Sequence, residues 1–209
     1  GYTGKITPEL TIGATYATKT YMGSFDKYKG LFAEQGDFDI PANWGVGVAW
    51  KATPELTLAA DYMRIQYSDV KSIANPLDNL FPMTQFGPAN TFGSDNGPGF
   101  GWEDVDVFKL GAAYQMGDWT LRGGYAYASQ PIPDSQTFLN IYAPGVVHHH
   151  LSLGATWATS KTGELSFNYI HAFEKTVNGS GSIPPNFGGG NANLTMFQDS
   201  FGVAYGWKF

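Results

Sequence analysis

Cysteine is absent from the 209 residues, which excludes a disulfide scaffold and any thiolate-ligated zinc or iron–sulfur centre. Charge is also scarce. Asp, Glu, Lys and Arg make up 14% of the chain, against roughly 25% in an average soluble domain. The net charge of −6 carries no basic footprint of the kind nucleic-acid binders show, so no nucleic-acid partner is expected. Nor does any apolar run reach the roughly 18 residues that a membrane-crossing helix needs. If a membrane is involved, strands must cross it. The first residue is Gly1, with no charged segment and apolar stretch ahead of the first patterned part, so no signal peptide is expected and the chain reads as processed or truncated.

Aromatic residues reach 16%, and 27 glycines and 12 prolines recur along the whole chain, with no compositional break to divide it, so residues 1–209 are read as one unit. The strongest signal is alternation of period two, bulky apolar residues on one face and small or polar ones on the other, as a lipid-facing barrel strand requires. Leu10, Ile12, Ala14 and Tyr16 alternate with Thr11, Gly13, Thr15 and Ala17. Trp44, Val46, Val48 and Trp50 do so with Gly45, Gly47, Ala49 and Lys51. The pattern runs on to Phe201, Val203, Tyr205, Trp207 and Phe209. It predicts nine strands, at roughly 1–7, 10–22, 42–52, 56–68, 102–115, 119–128, 147–158, 164–175 and 195–209.

Short and long connections alternate between them. Thr7-Pro8-Glu9, Thr53-Pro54-Glu55, Met116-Gly117-Asp118 and 159–163 are turn-sized, and the pentapeptide TPELT occurs twice. Residues 23–41, 69–100, 129–146 and 176–194 are long and rich in Gly, Pro, Asn and Asp. Outer-membrane barrels have short periplasmic turns and longer extracellular loops, which orients the chain and ends its last strand in the periplasm. The fold class is therefore all-β, an antiparallel up-and-down transmembrane barrel in the bacterial outer membrane. Nine strands do not make the even count of single-chain bacterial barrels, and an open sheet in lipid leaves costly unpaired backbone groups. The chain is thus expected to be an incomplete segment, with upstream strands missing.

Several stretches resemble one family beyond their patterning. Phe38-Asp39-Ile40-Pro41-Ala42-Asn43-Trp44 leads into a strand and Ala60-Asp61-Tyr62-Met63-Arg64 follows. Gly101-Trp102-Glu103-Asp104, Lys109 to Tyr114, Leu121 to Tyr127 and Gln130-Pro131-Ile132-Pro133 then match, in order and spacing, the motifs of FadL/TodX outer-membrane transporters. The segment 140–154 and the ending Tyr205 to Phe209 are similar too. The resemblance implies a fourteen-stranded parent barrel with an N-terminal hatch, of which the hatch and early strands are absent here. It also implies passive uptake of long-chain fatty acids or other hydrophobic molecules, with no cofactor. Outer-membrane lipid, lipopolysaccharide and, during biogenesis, the outer-membrane assembly machinery are the implied partners.

Candidate site residues follow. Phe25, Tyr28, Leu31 and Phe32 are spaced so that a short helix would place them on nearly one face, as half of a surface groove for an acyl chain; the plainer reading is a loop helix packed on its neighbours. Lys109, Arg122 and Asp61 fall on the predicted inner face, where a cation could meet a carboxylate or lumen charges could simply pair. His148, His149 and His150 invite a metal, yet no third ligand type completes a site, so none is expected. Tyr205, Trp207 and Phe209 resemble an assembly signal, or else a strand with interfacial aromatics. No G-x-S-x-G elbow or spaced carboxylate cluster is present, so no catalytic residue is proposed. The alternatives are a small non-specific pore, a structural barrel and, last, an outer-membrane hydrolase.

Overall fold

The computed structural model describes residues 1–80 and 91–208. Nine strands form one antiparallel sheet: β1 (Tyr2–Lys5), β2 (Leu10–Ala17), β3 (Asn43–Lys51), β4 (Leu56–Ile65), β5 (Val105–Met116), β6 (Trp119–Ala128), β7 (His149–Ala158), β8 (Gly163–Val177) and β9 (Leu194–Trp207). Every strand pairs with its sequence neighbour, and among the described residues β1 and β9 stand at the two edges. This is the expected meander.

The alternation sorts the faces as expected. Leu110, Leu121, Leu153 and Val203 all project from one exposed face, Val203 with 70% of its surface free. Direct cross-strand partners share a face, so one outward row can be followed across the sheet through Ile12, Val48, Ala60, Leu110, Tyr125, Leu151, His171 and Asp199. Near the turns this face carries Trp50, Trp119, Trp157, Tyr205 and Trp207, and Trp119 stacks on Trp157 at 5.7 Å. Aromatic girdles at the membrane boundary are what a barrel exterior needs.

The repeated pentapeptide builds the same turn twice. Thr7 Oγ1 accepts the N–H groups of Glu9 and Leu10 and donates to Glu9 Oε2; Thr53 does the same with Glu55 and Leu56. At the β5–β6 hairpin, Gly117 takes φ 59°, a conformation glycine adopts without a Cβ penalty.

A single-layer sheet buries neither of its faces, and the deeply buried residues lie mostly in the long connections. These are loop 1 (18–42), loop 2 (66–104), loop 3 (129–148) and loop 4 (178–193). Ile132, Val146 and Leu194 form a core with Trp102, Val177 and Met196 packed against it. Asn140, fully buried, ties loops 2 and 3 together: its Oδ1 accepts the Trp102 indole N–H at 2.6 Å, and its Nδ2 donates to the carbonyls of Phe100 and Gln136. Thr137 donates to the Ala192 carbonyl and joins loop 4.

Several strands end differently from expectation. The second stops at Ala17 rather than 22, because Lys19 turns aside to Asp39 at 3.0 Å and only the isolated bridge Thr20↔Ile40 continues the pairing. The fourth ends at Ile65, where a 3-10 turn over Tyr67–Asp69 begins. The eighth runs on to Val177 through a bulge between Ala172 and Lys175.

Candidate functional site

The inner face is a shallow trough floored by small residues. Cross-strand pairing puts Gly47, Asp61, Lys109, Ala126 and His150 in one row and Thr57, Ala113, Arg122, Gly154 and Asn168 in another, four residues lower on β6. Between them run Ala59, Gly111, Gly124 and Ser152. The resulting hollow, lined among others by Asp61, Lys109, Arg122, His150, Ser152 and Asn168, has a volume of about 650 Å³. A second hollow of about 540 Å³ continues it toward β1 and shares Asp61 and Lys109.

Lys109 and Asp61 are direct cross-strand neighbours, yet their side chains do not close into an ion pair. The reason lies one strand away. Asp61 leans over Gly47, where an added Cβ would collide with its Oδ1. The Lys109 ammonium is left without a partner among the described residues. Arg122 reaches the other way and donates to Thr156 Oγ1 at 2.8 Å. The same device recurs on this face: the Ser152 hydroxyl lies over Gly124, and the Asn168 amide over Gly202. Glycine on one strand thus makes room for a polar side chain of the next. Sequence reading placed Lys109, Arg122 and Asp61 on this face and weighed His150 only as a metal candidate; it missed Ser152 and Asn168, because their convergence depends on strand register. The signal available was an inner-face glycine opposite a polar residue.

The apolar residues of loop 1 are arranged otherwise than expected. A 3-10 turn covers only Asp26–Tyr28, and the turn at Ala33–Gly36 is broken by left-handed Glu34 and Gln35. No helix spans Phe25 to Phe32, because the Phe25 N–H bonds across the loop to the Gly36 carbonyl at 2.8 Å. Phe25, Tyr28 and Leu31 remain exposed, whereas Phe32 turns inward to pack against Phe38 at 5.0 Å and Phe25 at 6.4 Å. At the base of the loop, Asp39 is buried and accepts the Met22 N–H and the Lys19 ammonium. Burial opposes its ionisation, but these two donors outweigh it and hold the carboxyl below its usual range. Asp37 beside it is pushed up, by burial first and then by the charge of Asp39.

The histidines separate. His149 faces outward, with the Tyr125 hydroxyl at 2.5 Å from its Nδ1, while His150 lines the trough. Among the described residues no three His, Asp or Glu side chains gather in a metal-binding cluster. Tyr205 and Trp207 share the outer face with ring centroids 5.9 Å apart; Phe209 lies outside the described residues.

This geometry, a meander with a greasy exterior and a small-residue interior, accords with the comparison to known sequences. The profile of the family described as outer membrane protein transport protein (OMPP1/FadL/TodX) matches residues 1–195. The chain belongs to this family. As a FadL/TodX member it is part of an outer-membrane β-barrel, and the family is one of transport channels, which displaces the hydrolase alternative. Solved structures agree on the fold. The P. putida toluene transporter TodX superposes with a TM-score of 0.60 at 19% identity, over 99% of this chain and 47% of that one. For the Ralstonia pickettii toluene transporter TbuX the values are 0.55, 20%, 99% and 46%. For the monoaromatic hydrocarbon channel CymD they are 0.58, 20%, 99% and 49%. The chain thus spans about half the length of these relatives. No curated protein matches it.

Proposed function

We propose that this chain forms the C-terminal wall of an outer-membrane channel for passive uptake of hydrophobic small molecules, with long-chain fatty acids as the preferred class. Lys109 carries the finer part of that reading. Its ammonium has no partner among the described residues and stands above a floor of glycine and alanine, so an acyl chain could lie along the floor while its carboxylate takes a charge-assisted hydrogen bond. Arg122, four residues below the Lys109 row on β6, supplies a second cation at the lower end of the same hollow. TodX and CymD are described as carriers of toluene and monoaromatic hydrocarbons; such neutral substrates would leave Lys109 without a partner. The exposed Phe25, Tyr28 and Leu31 fit a first contact for the hydrophobe on the outer surface. The outward aromatic belts are suited to contact with outer-membrane lipid and lipopolysaccharide.

The test is binding by the intact protein in detergent. Oleate should bind while a hydrophilic sugar of similar mass does not, and Lys109→Met should weaken oleate by about tenfold without affecting oleyl alcohol. Equal binding of oleate and sugar would overturn the uptake reading. Equal loss of oleate and oleyl alcohol would remove the carboxylate role.

A further inference from the structure

Loop 1 is held differently from the other three loops. Loops 2 and 3 share a buried core with the ends of β8 and β9 and are tied by the hydrogen bonds of Asn140, while Thr137 ties loop 4 to loop 3. Loop 1 leaves Tyr21, Phe25, Tyr28 and Leu31 exposed and is hydrogen-bonded to Gly93, Ser94 and Asp95 of loop 2 by Glu34 and Gln35, in the short segment 34–36. In that segment the backbone is left-handed at three successive residues: Glu34 at φ 55°, Gln35 at 57° and Gly36 at 94°. Only glycine takes this conformation freely, because the Cβ of any other residue crowds the following carbonyl.

Loop 2 is what keeps Glu34 and Gln35 there. The Gln35 N–H donates to the Gly93 carbonyl at 2.8 Å, and the Glu34 N–H to the Ser94 carbonyl at 3.2 Å. The Gln35 side-chain amide donates to Asp95 Oδ1 at 2.7 Å and to the Gly93 carbonyl at 3.3 Å. Lys71 pairs with Glu34 at 2.9 Å. Gly93 is itself left-handed at φ 83°, and a Cβ there would run into the Lys29 carbonyl of loop 1. When these bonds break, Glu34 and Gln35 are free to relax into right-handed or extended backbone. The bonds of the closed arrangement are therefore opposed by the relaxation of the open one, and a balance of that kind makes a two-state element.

We propose that loop 1 is a strained lid, latched to loop 2 at residues 34–36 and anchored at its base by the Thr20↔Ile40 bridge and the Lys19–Asp39 pair. Release of the latch lets a hydrophobic ligand pass from the Phe25, Tyr28 and Leu31 patch into the seam beneath. On the loop 1 side this seam presents Phe32, Phe38 and the buried Ala33; on the loop 2 side stands Ser72, whose hydroxyl donates to the Asp37 carbonyl of loop 1, between the buried Val70 and Ile73. The role of the lid rests on the uptake reading above, whereas its strained latch can be tested without any ligand.

Two substitutions at one position separate strain from ordinary loop packing. Gln35→Ala and Gln35→Gly delete the same side-chain hydrogen bonds, but only alanine bears the left-handed cost. Amide hydrogen exchange on the intact protein in detergent should show residues 25–36 opening roughly fivefold more often in Gln35→Ala than in Gln35→Gly, with loop 3 amides unchanged in both. In an unstrained loop glycine would be the more mobile of the two, and that order would overturn the proposal. Capture of cis-parinaric acid, a fluorescent fatty acid, should follow the same order, faster in Gln35→Ala. Equal capture rates despite the expected exchange order would refute the gating role. If no variant, including the wild type, captures the probe, the uptake reading falls and the exchange order alone decides whether the latch is strained.

Discussion

Replacing Gly47 by alanine should weaken the binding of a carboxylate ligand even though Gly47 touches no ligand. Asp61 lies over Gly47, and an added Cβ would occupy the space its Oδ1 now fills. A carboxylate is the far end of a flexible side chain, so it yields at little cost to folding. In its row Asp61 has only two neighbours, Gly47 on β3 and Lys109 on β5. Expelled from the first, it moves toward the second and closes the ion pair that is open in the native wall. A ligand carboxylate must then compete for the Lys109 ammonium with a resident one. Exposed ion pairs are weak, and the competition should amount to about a twofold to fivefold loss of affinity, well short of the loss expected for Lys109→Met. The assay is displacement of cis-parinaric acid by oleate and, in parallel, by oleyl alcohol. Oleate should weaken, oleyl alcohol should not, and Gly47→Ala combined with Asp61→Asn should restore oleate binding. If both ligands weaken equally, or the double variant fails to recover, the slot does not control Lys109.

Further outcomes follow from the loops and the last strand. Asn140→Ala leaves the Trp102 indole N–H and the Phe100 and Gln136 carbonyls unsatisfied, and should destabilise loop 3 by about 2–4 kcal/mol; hydrogen exchange at residues 139–146 measures it, and a change below about 1 kcal/mol contradicts the network. The acid pair at the base of loop 1 predicts a pH profile. Asp37, with its pKa raised, contributes stability that is present at low pH and lost as pH rises through its folded value. Asp39, with its pKa lowered, contributes stability present above its ordinary value and lost as pH falls through its folded value. Loop 1 protection, corrected for intrinsic exchange, should therefore rise as pH falls from neutrality through the raised value of Asp37 and collapse once it falls through the lowered value of Asp39; a steady decline from pH 7 would contradict the opposed signs. Deleting Phe209 should impair insertion in cells far more than refolding into detergent, judged by the heat-modifiable fraction on unboiled gels, and equal losses would defeat the assembly-signal reading.

The strands were legible because lipid and lumen demand different side chains, so Leu110 and Lys109, adjacent in the chain, announce two faces. Their ends were less legible. Thr18 to Met22 contain no glycine or proline to stop a strand, but the pull of Asp39 on Lys19 and on the Met22 N–H is a long-range contact with no local trace. The same limit misled the reading of loop 1, where spacing suggested a helix and the bond from the Phe25 N–H to the Gly36 carbonyl imposed a closed loop instead. In the trough, individual residues were placed on the correct face, but Gly47 beneath Asp61 is a relation between strands that register alone reveals.

The outward row from Ile12 to Asp199 is also a ramp. Ile12 stands two residues above the periplasmic start of β2 at Leu10, while Asp199 stands eight above the periplasmic end of β9 at Trp207. The row climbs six residues in seven strand steps, about 20 Å of strand length at ~3.3 Å per residue. Residues bonded side by side therefore do not share a depth. Ile12 lies near the short-turn end of the sheet, whereas His171 and Asp199, 2.8 Å apart, stand toward the long loops, where polar headgroups can accept a polar pair on the lipid side. Tolerance of charge on this exterior should accordingly follow altitude around a spiral rather than position along a ladder.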